Sequence, residues 1–149
     1  MRVALKIIIT FWFTYLFTGV VYAQLIGIKT VGGTSPDYST FADAVNALNT
    51  NGVGAGGVTF LFRDGTYTGG VEITSGGTSS DPIVFKSESE DSTTVIIELD
   101  AYDDVIDLNA VSYISFQDLS ISYLKASAYS CVEIRDGASH ITISNCVLQ

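Results

Sequence analysis

Near its carboxyl end this 149-residue chain repeats a phrase. Tyr113-Ile-Ser-Phe-Gln-Asp-Leu-Ser-Ile121 returns as His140-Ile-Thr-Ile-Ser-Asn-Cys-Val-Leu148, so Ile114 matches Ile141 at an offset of 141 minus 114, or 27. Just upstream, Val105-Ile-Asp-Leu108 returns as Cys131-Val-Glu-Ile134 at an offset of 26. Short alternating strands that recur at such a period predict a stack of coils, in which each coil buries its apolar face against the next. A β-sandwich of hairpins is the rival for strands this short, but its strands reverse direction and have no reason to repeat a turn motif. Here every inward slot is apolar in both copies: Ile106, Leu108, Ile114, Phe116, Leu119 and Ile121 answer to Val132, Ile134, Ile141, Ile143, Cys146 and Leu148. Asp118 and Asn145 recur at the bend between strands, where a polar side chain can bond the turn backbone.

The rest of the chain reads as one unit in the same style. Arg2 and Lys6 precede an apolar run from Ile7 to Val21, broken by Thr10, Thr14, Thr18 and Gly19, and Val21-Tyr-Ala23 offers a small-residue cleavage site. Residues 1–23 are therefore expected to be an export signal and residues 24–149 the mature, secreted or cell-surface region. A retained membrane anchor drawn through Ile28 is the alternative, disfavoured by those interruptions and by the cleavage site.

One helical period follows a turn-rich lead-in, Gly32 to Asp37. Phe41, Ala44, Val45 and Leu48 fall on one stripe, Thr40 with Asp43 makes a capping box, and Asn51-Gly52 supplies the stop. A single amphipathic helix over about 40–50, ahead of a series of strands, is expected to be the lid over the first coil. From Gly56 the period becomes two, through Val58, Phe60, Phe62, Val71 and Ile73, then Ile83 to Phe85 and Val95 to Leu99, with polar turns between.

The stretch Asp37-Tyr-Ser-Thr-Phe-Ala-Asp-Ala-Val45, then Gly57-Val-Thr-Phe-Leu-Phe62, Gly65-Thr-Tyr67 and Val71-Glu-Ile73 resembles the opening of proteins of the pectin-lyase-like superfamily. The resemblance covers nearly all of the mature region. It implies an all-β fold, a right-handed parallel β-helix (solenoid) with an amino-terminal capping α-helix. It also implies a parent protein that engages polysaccharide as a lyase, hydrolase or esterase. These motifs specify fold and capping. The Gly-Gln-Ala segment of pectin methylesterases is missing, and the last strand runs into Gln149 with no terminal cap. The chain is accordingly read as the amino-terminal part of a β-helix domain, truncated at its carboxyl end and continued by further coils of the parent. A non-catalytic cell-surface or adhesive β-helix is the alternative.

Charge narrows the partners. Sixteen acidic residues face seven basic ones, a formal net charge of -9, which falls to -11 once Arg2 and Lys6 leave with the signal. Such a surface repels nucleic acid and anionic membranes, and an anionic polysaccharide would need a local cation. The repeat sets Asp107 and Glu133 at equivalent outward positions on neighbouring coils, with Arg135 on the same face and Asn109 below it. This patch can work as an acid–base pair or hold an acidic sugar, or it is a solvated face whose like charges Arg135 relieves. Asp103, Asp104 and Asp107, with Asp100, form the densest acidic cluster. They are calcium candidates, although the spacing lacks EF-hand order and a solvated turn explains it as well. No other cofactor is indicated.

His140, the one histidine, has no Ser or Cys partner at a recognisable spacing and reads as a turn residue. Tyr38, Tyr67, Tyr102, Tyr113, Tyr123 and Tyr129 are candidates for sugar stacking or ordinary wall residues. Cys131 and Cys146 fall on opposite faces of the repeat, and are expected to stay unpaired.

Overall fold

A computed structural model describes residues 23–125 and 129–149; the expected export signal lies almost wholly outside them. Strand β1 (Leu25–Val31) leads into helix α1 (Phe41–Asn51), and the strands that follow are β2 (Val53–Phe62), β3 (Gly65–Thr68), β4 (Val71–Ile73), β5 (Ile83–Ser87), β6 (Val95–Leu99), β7 (Ile106–Asn109), β8 (Ser112–Gln117), β9 (Ser120–Tyr123), β10 (Val132–Arg135), β11 (Ser139–Ser144) and β12 (Val147–Leu148). They build three sheets of order β1-β2-β5-β8-β11, β3-β6-β9-β12 and β4-β7-β10, here called the first, second and third. From β2 onward the chain visits first, second and third sheet in turn, and every pairing between named strands is parallel. That is a parallel β-solenoid of about four coils with one helix at its head, all-β as the repeat predicts.

Like positions stack. Ile114 pairs with Ile141 and Phe116 with Ile143. Ile106 pairs with Val132 and Leu108 with Ile134, in the same register as the repeat. In the first sheet the inward slot carries Phe60, Phe85 and Phe116 on successive coils, all fully buried. Their rings are 4.9 and 5.1 Å apart and within 11° and 10° of parallel. Parallel strands about 4.8 Å apart bring like side chains to contact distance, and three flat rings fill such a column without voids.

Coil length varies, because the turns differ while the strands stay in register. Along the first sheet, Phe60 to Phe85 is 25 residues (85 minus 60), Phe85 to Phe116 is 31 (116 minus 85) and Phe116 to Ile143 is 27 (143 minus 116). Strand β1, which lies beside the apolar leader in sequence, adds a rung to the first sheet ahead of the first coil. Sequence periodicity assigns no element to this stretch, although it falls in the expected mature region.

Helix α1 closes the head. Its buried residues are Phe41, Ala44, Val45 and Leu48, and Thr40 and Asp43 form the reciprocal capping box. The Gly52 amide ends the helix on the Leu48 carbonyl at 2.8 Å. Asn49 pins the helix to the third sheet by donating to the Glu72 carbonyl (2.8 Å) and accepting from the Thr74 amide (2.9 Å). Nearby, the Tyr67 hydroxyl sits 3.0 Å from the Val31 carbonyl and 2.6 Å from that of Arg63. Gly32 makes room for it, since a Cβ there would lie 2.1 Å from the hydroxyl oxygen.

The tail is different. Ile134, Ile143 and Leu148 occupy the slots that Leu108, Phe116 and Ile121 fill one coil below, yet they are 51, 37 and 49 % exposed against 0 % for their counterparts. Nothing among the described residues stacks on them.

Candidate functional site on the third sheet

Alternation in three short strands puts one polar ladder on the outer face of the third sheet. In β4, β7 and β10 the residues flanking the acid belong to the inward series, so Glu72, Asp107 and Glu133 face out on consecutive rungs and pair in register. Arg135 follows two residues after Glu133, in register with Asn109. The sequence had already joined Asp107, Glu133, Arg135 and Asn109. It had not joined Glu72, although Val71-Glu-Ile73 carries the same apolar–acid–apolar pattern as Ile106-Asp-Leu108. The interval from Ile73 to Leu108 is 35 residues (108 minus 73), too far from 26 for the match to stand out.

Arg135 is the hub. Its Nε donates to both oxygens of Asp107 at 2.8 and 3.0 Å, and its Nη2 donates to Asp107 and to Glu72 Oε1, each at 2.7 Å. Nη1 donates to Asp136, and Asn109 donates to the same Glu72 oxygen at 2.8 Å. The guanidinium thus ties three rungs together through the bidentate geometry at which arginine excels. Asp107 foremost, then Asp136, holds its pKa above the ordinary arginine range. Glu133, 4.0 Å from Arg135 Nε, is only loosely engaged.

Glu133 instead meets Asp104, the residue that opens the rung below. That carboxyl–carboxyl hydrogen bond is the main reason its pKa rises above the usual glutamate value; partial desolvation and the charges of Asp104 and Asp107 add to it, and Arg135 opposes it. Asp104 also accepts from the Ser130 backbone amide. Beside the ladder lies a cavity of about 150 Å³ lined by Gly70, Val71, Glu72, Asp103, Asp104 and Asp107. The calcium candidates Asp103, Asp104 and Asp107 thus line one cleft, though among the described residues no group of three or more His, Cys, Asp or Glu side chains is arranged to hold a metal ion. Chemically, the patch offers a carboxyl that keeps its proton to higher pH than usual, next to the Asp107 and Glu72 carboxylates that one arginine ties together.

The other candidate residues go elsewhere. His140 sits at a left-handed backbone position (φ 55°), directly above Tyr113 (φ 56°), with the two rings 4.3 Å apart and 11° from parallel. Asp118 and Asn145 share the same left-handed conformation (φ 56° and 53°), so the recurrence seen in sequence marks a bend that these residue types tolerate. Tyr67 is buried. Tyr102, in the turn between β6 and β7, is 73 % exposed, with the Lys125 ammonium 5.1 Å from its ring centre. Both cysteines are free and half-buried. Cys131 departs from expectation in one respect: its counterpart Val105 is fully buried, because Val105 and Ile106 both turn inward at a corner of the coil. Cys146 has its thiol pKa pushed up by burial.

A cavity of about 440 Å³ lies at the head beside α1, lined by residues that include Ser39, Thr40, Asp64 and Tyr67. Thr40 is committed to the helix cap and Tyr67 to backbone carbonyls, which leaves Asp64 as the one ionisable group without such a structural bond there.

Fold and site together define a parallel β-solenoid protein with an acidic, arginine-clamped ladder on one outer face. No family model matches the chain, and no curated protein or solved structure matches it either.

Proposed function

We propose that this chain is a secreted or cell-surface β-helix scaffold of a polysaccharide-engaging protein of the pectin-lyase-like kind. The parent activity would be that of a lyase, hydrolase or esterase on uronic-acid-type polysaccharide. This region supplies scaffold and part of a groove, and it lacks a complete active site. The observation that carries the reading is the third-sheet ladder, where Glu72, Asp107 and Glu133 recur on successive rungs beside a cleft. A repeating face with a rung spacing of about 4.8 Å suits an extended, repeating ligand. With a formal charge of -9, an anionic sugar chain would approach through Arg135 or through a bridging cation such as calcium at Asp103, Asp104 and Asp107. The fold-level resemblance supports the class of activity by analogy.

The test is a binding and turnover screen of the protein on pectin, alginate and neutral glucans, with and without calcium. Retention on uronic-acid polymers that Arg135→Met weakens, or calcium-dependent retention that Asp104→Asn weakens, is the expected result. No retention on any polymer in either condition would overturn the reading.

One observation favours a non-catalytic surface or adhesive role instead. Four of the Arg135 hydrogen bonds go to Asp107 or Glu72 and a fifth to Asp136, as in a clamp that stiffens a spacer. In that case Arg135→Met lowers thermal stability and leaves polysaccharide retention unchanged.

A further inference from the structure

We propose that the cavity at the head of the solenoid, between the entry to α1 and β3, is a binding site for a short neutral oligosaccharide. Its volume of about 440 Å³ lies within the range of small-molecule sites. Thr66 and Thr68 stand on the outer side of β3 and line it, because Tyr67 between them turns into the core. Ser39 and Asp64 line the same space from the flanking turns. None of these four side chains makes a hydrogen bond or an ion pair among the described residues. Acids of the other turns and caps are tied down: Asp37, Asp43, Asp81 and Asp91 each accept from a nearby backbone amide. Three hydroxyls and a carboxylate that converge on one cavity, with no protein partner, are left for solvent or a ligand.

Charge and shape select the class of ligand. The neighbouring cation, Arg63, is occupied: its guanidinium donates to the Gly32 and Thr34 carbonyls and lies 3.7 Å from Glu88. Asp64 is exposed in the cavity wall of a chain whose formal charge is -9, so an anionic ligand is repelled, and one carboxylate is too few ligands for a metal ion. Sugar hydroxyls suit this set, since a carboxylate accepts from two neighbouring hydroxyls at once and a threonine hydroxyl both donates and accepts. The Tyr67 ring lines the cavity and offers an apolar surface to the C–H face of a sugar. A second cavity, of about 640 Å³, shares Gly33 and Asp64 with the first and continues past Arg63 and Glu88. Asp64 thus stands between two adjoining spaces, and a ligand longer than one sugar ring spans both. The walls are already held in place. The Tyr67 hydroxyl bonds the Val31 and Arg63 carbonyls, and the Arg63 side chain packs on Gly33, where a Cβ would lie 2.6 Å from its Cδ. A preformed wall lowers the ordering cost of binding. The site is separate from the third-sheet ladder and does not depend on the function proposed for it.

The experiment titrates the protein with cellotetraose, xylotetraose, mannotetraose and tetragalacturonate up to about 10 mM, followed by backbone amide NMR shifts and calorimetry. The expected result is saturable binding of at least one neutral tetrasaccharide, with shifts centred on Gly33, Asp64 and Thr66, and no shift of those amides by tetragalacturonate. Asp64→Ala, which breaks no hydrogen bond among the described residues, should weaken that binding about tenfold or more. Thr66→Trp, which fills the cavity, should abolish it. Circular dichroism verifies that both variants keep their strands. Arg135→Met should leave the neutral sugar bound as before, which separates this site from the uronic-acid reading of the ladder. Three results would overturn the inference: no neutral tetrasaccharide binds, tetragalacturonate shifts the head amides as strongly as the neutral sugars, or Asp64→Ala leaves the binding intact.

Discussion

The two ends of the solenoid are built from the same inward slots and meet opposite fates. At the head, Phe60 and Phe62 of the first coil lie under the α1 stripe, and all of them are at most 2 % exposed. At the tail, the equivalent Ile143 is more than a third exposed, although the sequence placed it in the same inward series. The comparison teaches that inward-facing and buried are separate properties in a stacked fold. Alternation decides which way a side chain points, and the neighbouring rung decides whether water reaches it.

Substitutions at matched positions sharpen that contrast. The largest expected effect is Leu48→Asp, which places a charge in the fully buried seam between helix and first coil. It should cost about 4 kcal/mol or more, while Ile134→Asp at the half-exposed tail should cost under about 1 kcal/mol. Thermal unfolding of the two variants checks the difference, and equal losses would break the comparison. Next is Phe85→Ala, which removes the middle ring of the Phe60–Phe85–Phe116 column and should cost about 3–5 kcal/mol. Ile143→Ala, at the exposed end of the same column, should cost about 1 kcal/mol; urea midpoints at constant slope measure both.

The smallest effects lie in the pH dependence, where head and tail have opposite signs. At the head, Asp37 accepts from the Thr30 amide at 2.7 Å and from its hydroxyl at 2.8 Å, and these bonds hold its pKa below the ordinary 3.8. Its contribution is therefore present above pH 3.8 and is lost as pH falls through the lowered value. Near the tail, Glu133 has a pKa raised above 4.5, first by the Asp104 hydrogen bond. The folded state holds the extra proton between 4.5 and the raised value, so stability falls as pH rises through that window. Glu133→Gln should remove that fall and leave the acid-side loss intact; Asp37→Asn should do the reverse. Denaturation midpoints taken from pH 3 to 7 in each variant check the two signs.

The parts of the fold that were legible in sequence are those where turn lengths nearly coincide. The last two coils differ by 27 residues at Ile114 and Ile141 and by 26 at Leu108 and Ile134, so the phrase is visible by inspection. The helix was equally legible, because its stripe, capping box and glycine stop are local chemistry. What escaped has a common cause. Glu72 stands in register with Asp107 only after a 35-residue interval from 72 to 107 that includes the turns around Gly76 and Asp91, and turn length is free to vary while strand register is not. Strand β1 escaped because Ile26 and Ile28 extend an apolar leader, and both face outward, so period-two alternation does not single it out. The Asp104–Glu133 contact joins a turn to a strand of the next coil, a pairing that the repeat alignment does not place opposite one another.

The claim beneath all of this is that residues one coil apart stack in register. It is tested most directly by a disulfide across one rung. The Ser112 and Ser139 hydroxyls lie 2.9 Å apart on β8 and β11, although 27 residues separate them in sequence. In a background with Cys131→Ala and Cys146→Ala, the pair Ser112→Cys and Ser139→Cys should close a disulfide under mild oxidation, detected as a cross-linked peptide after proteolysis. Moving the second cysteine one residue along, to His140→Cys, should prevent closure. Failure of the first pair, or closure of both with equal ease, would contradict the stacked register.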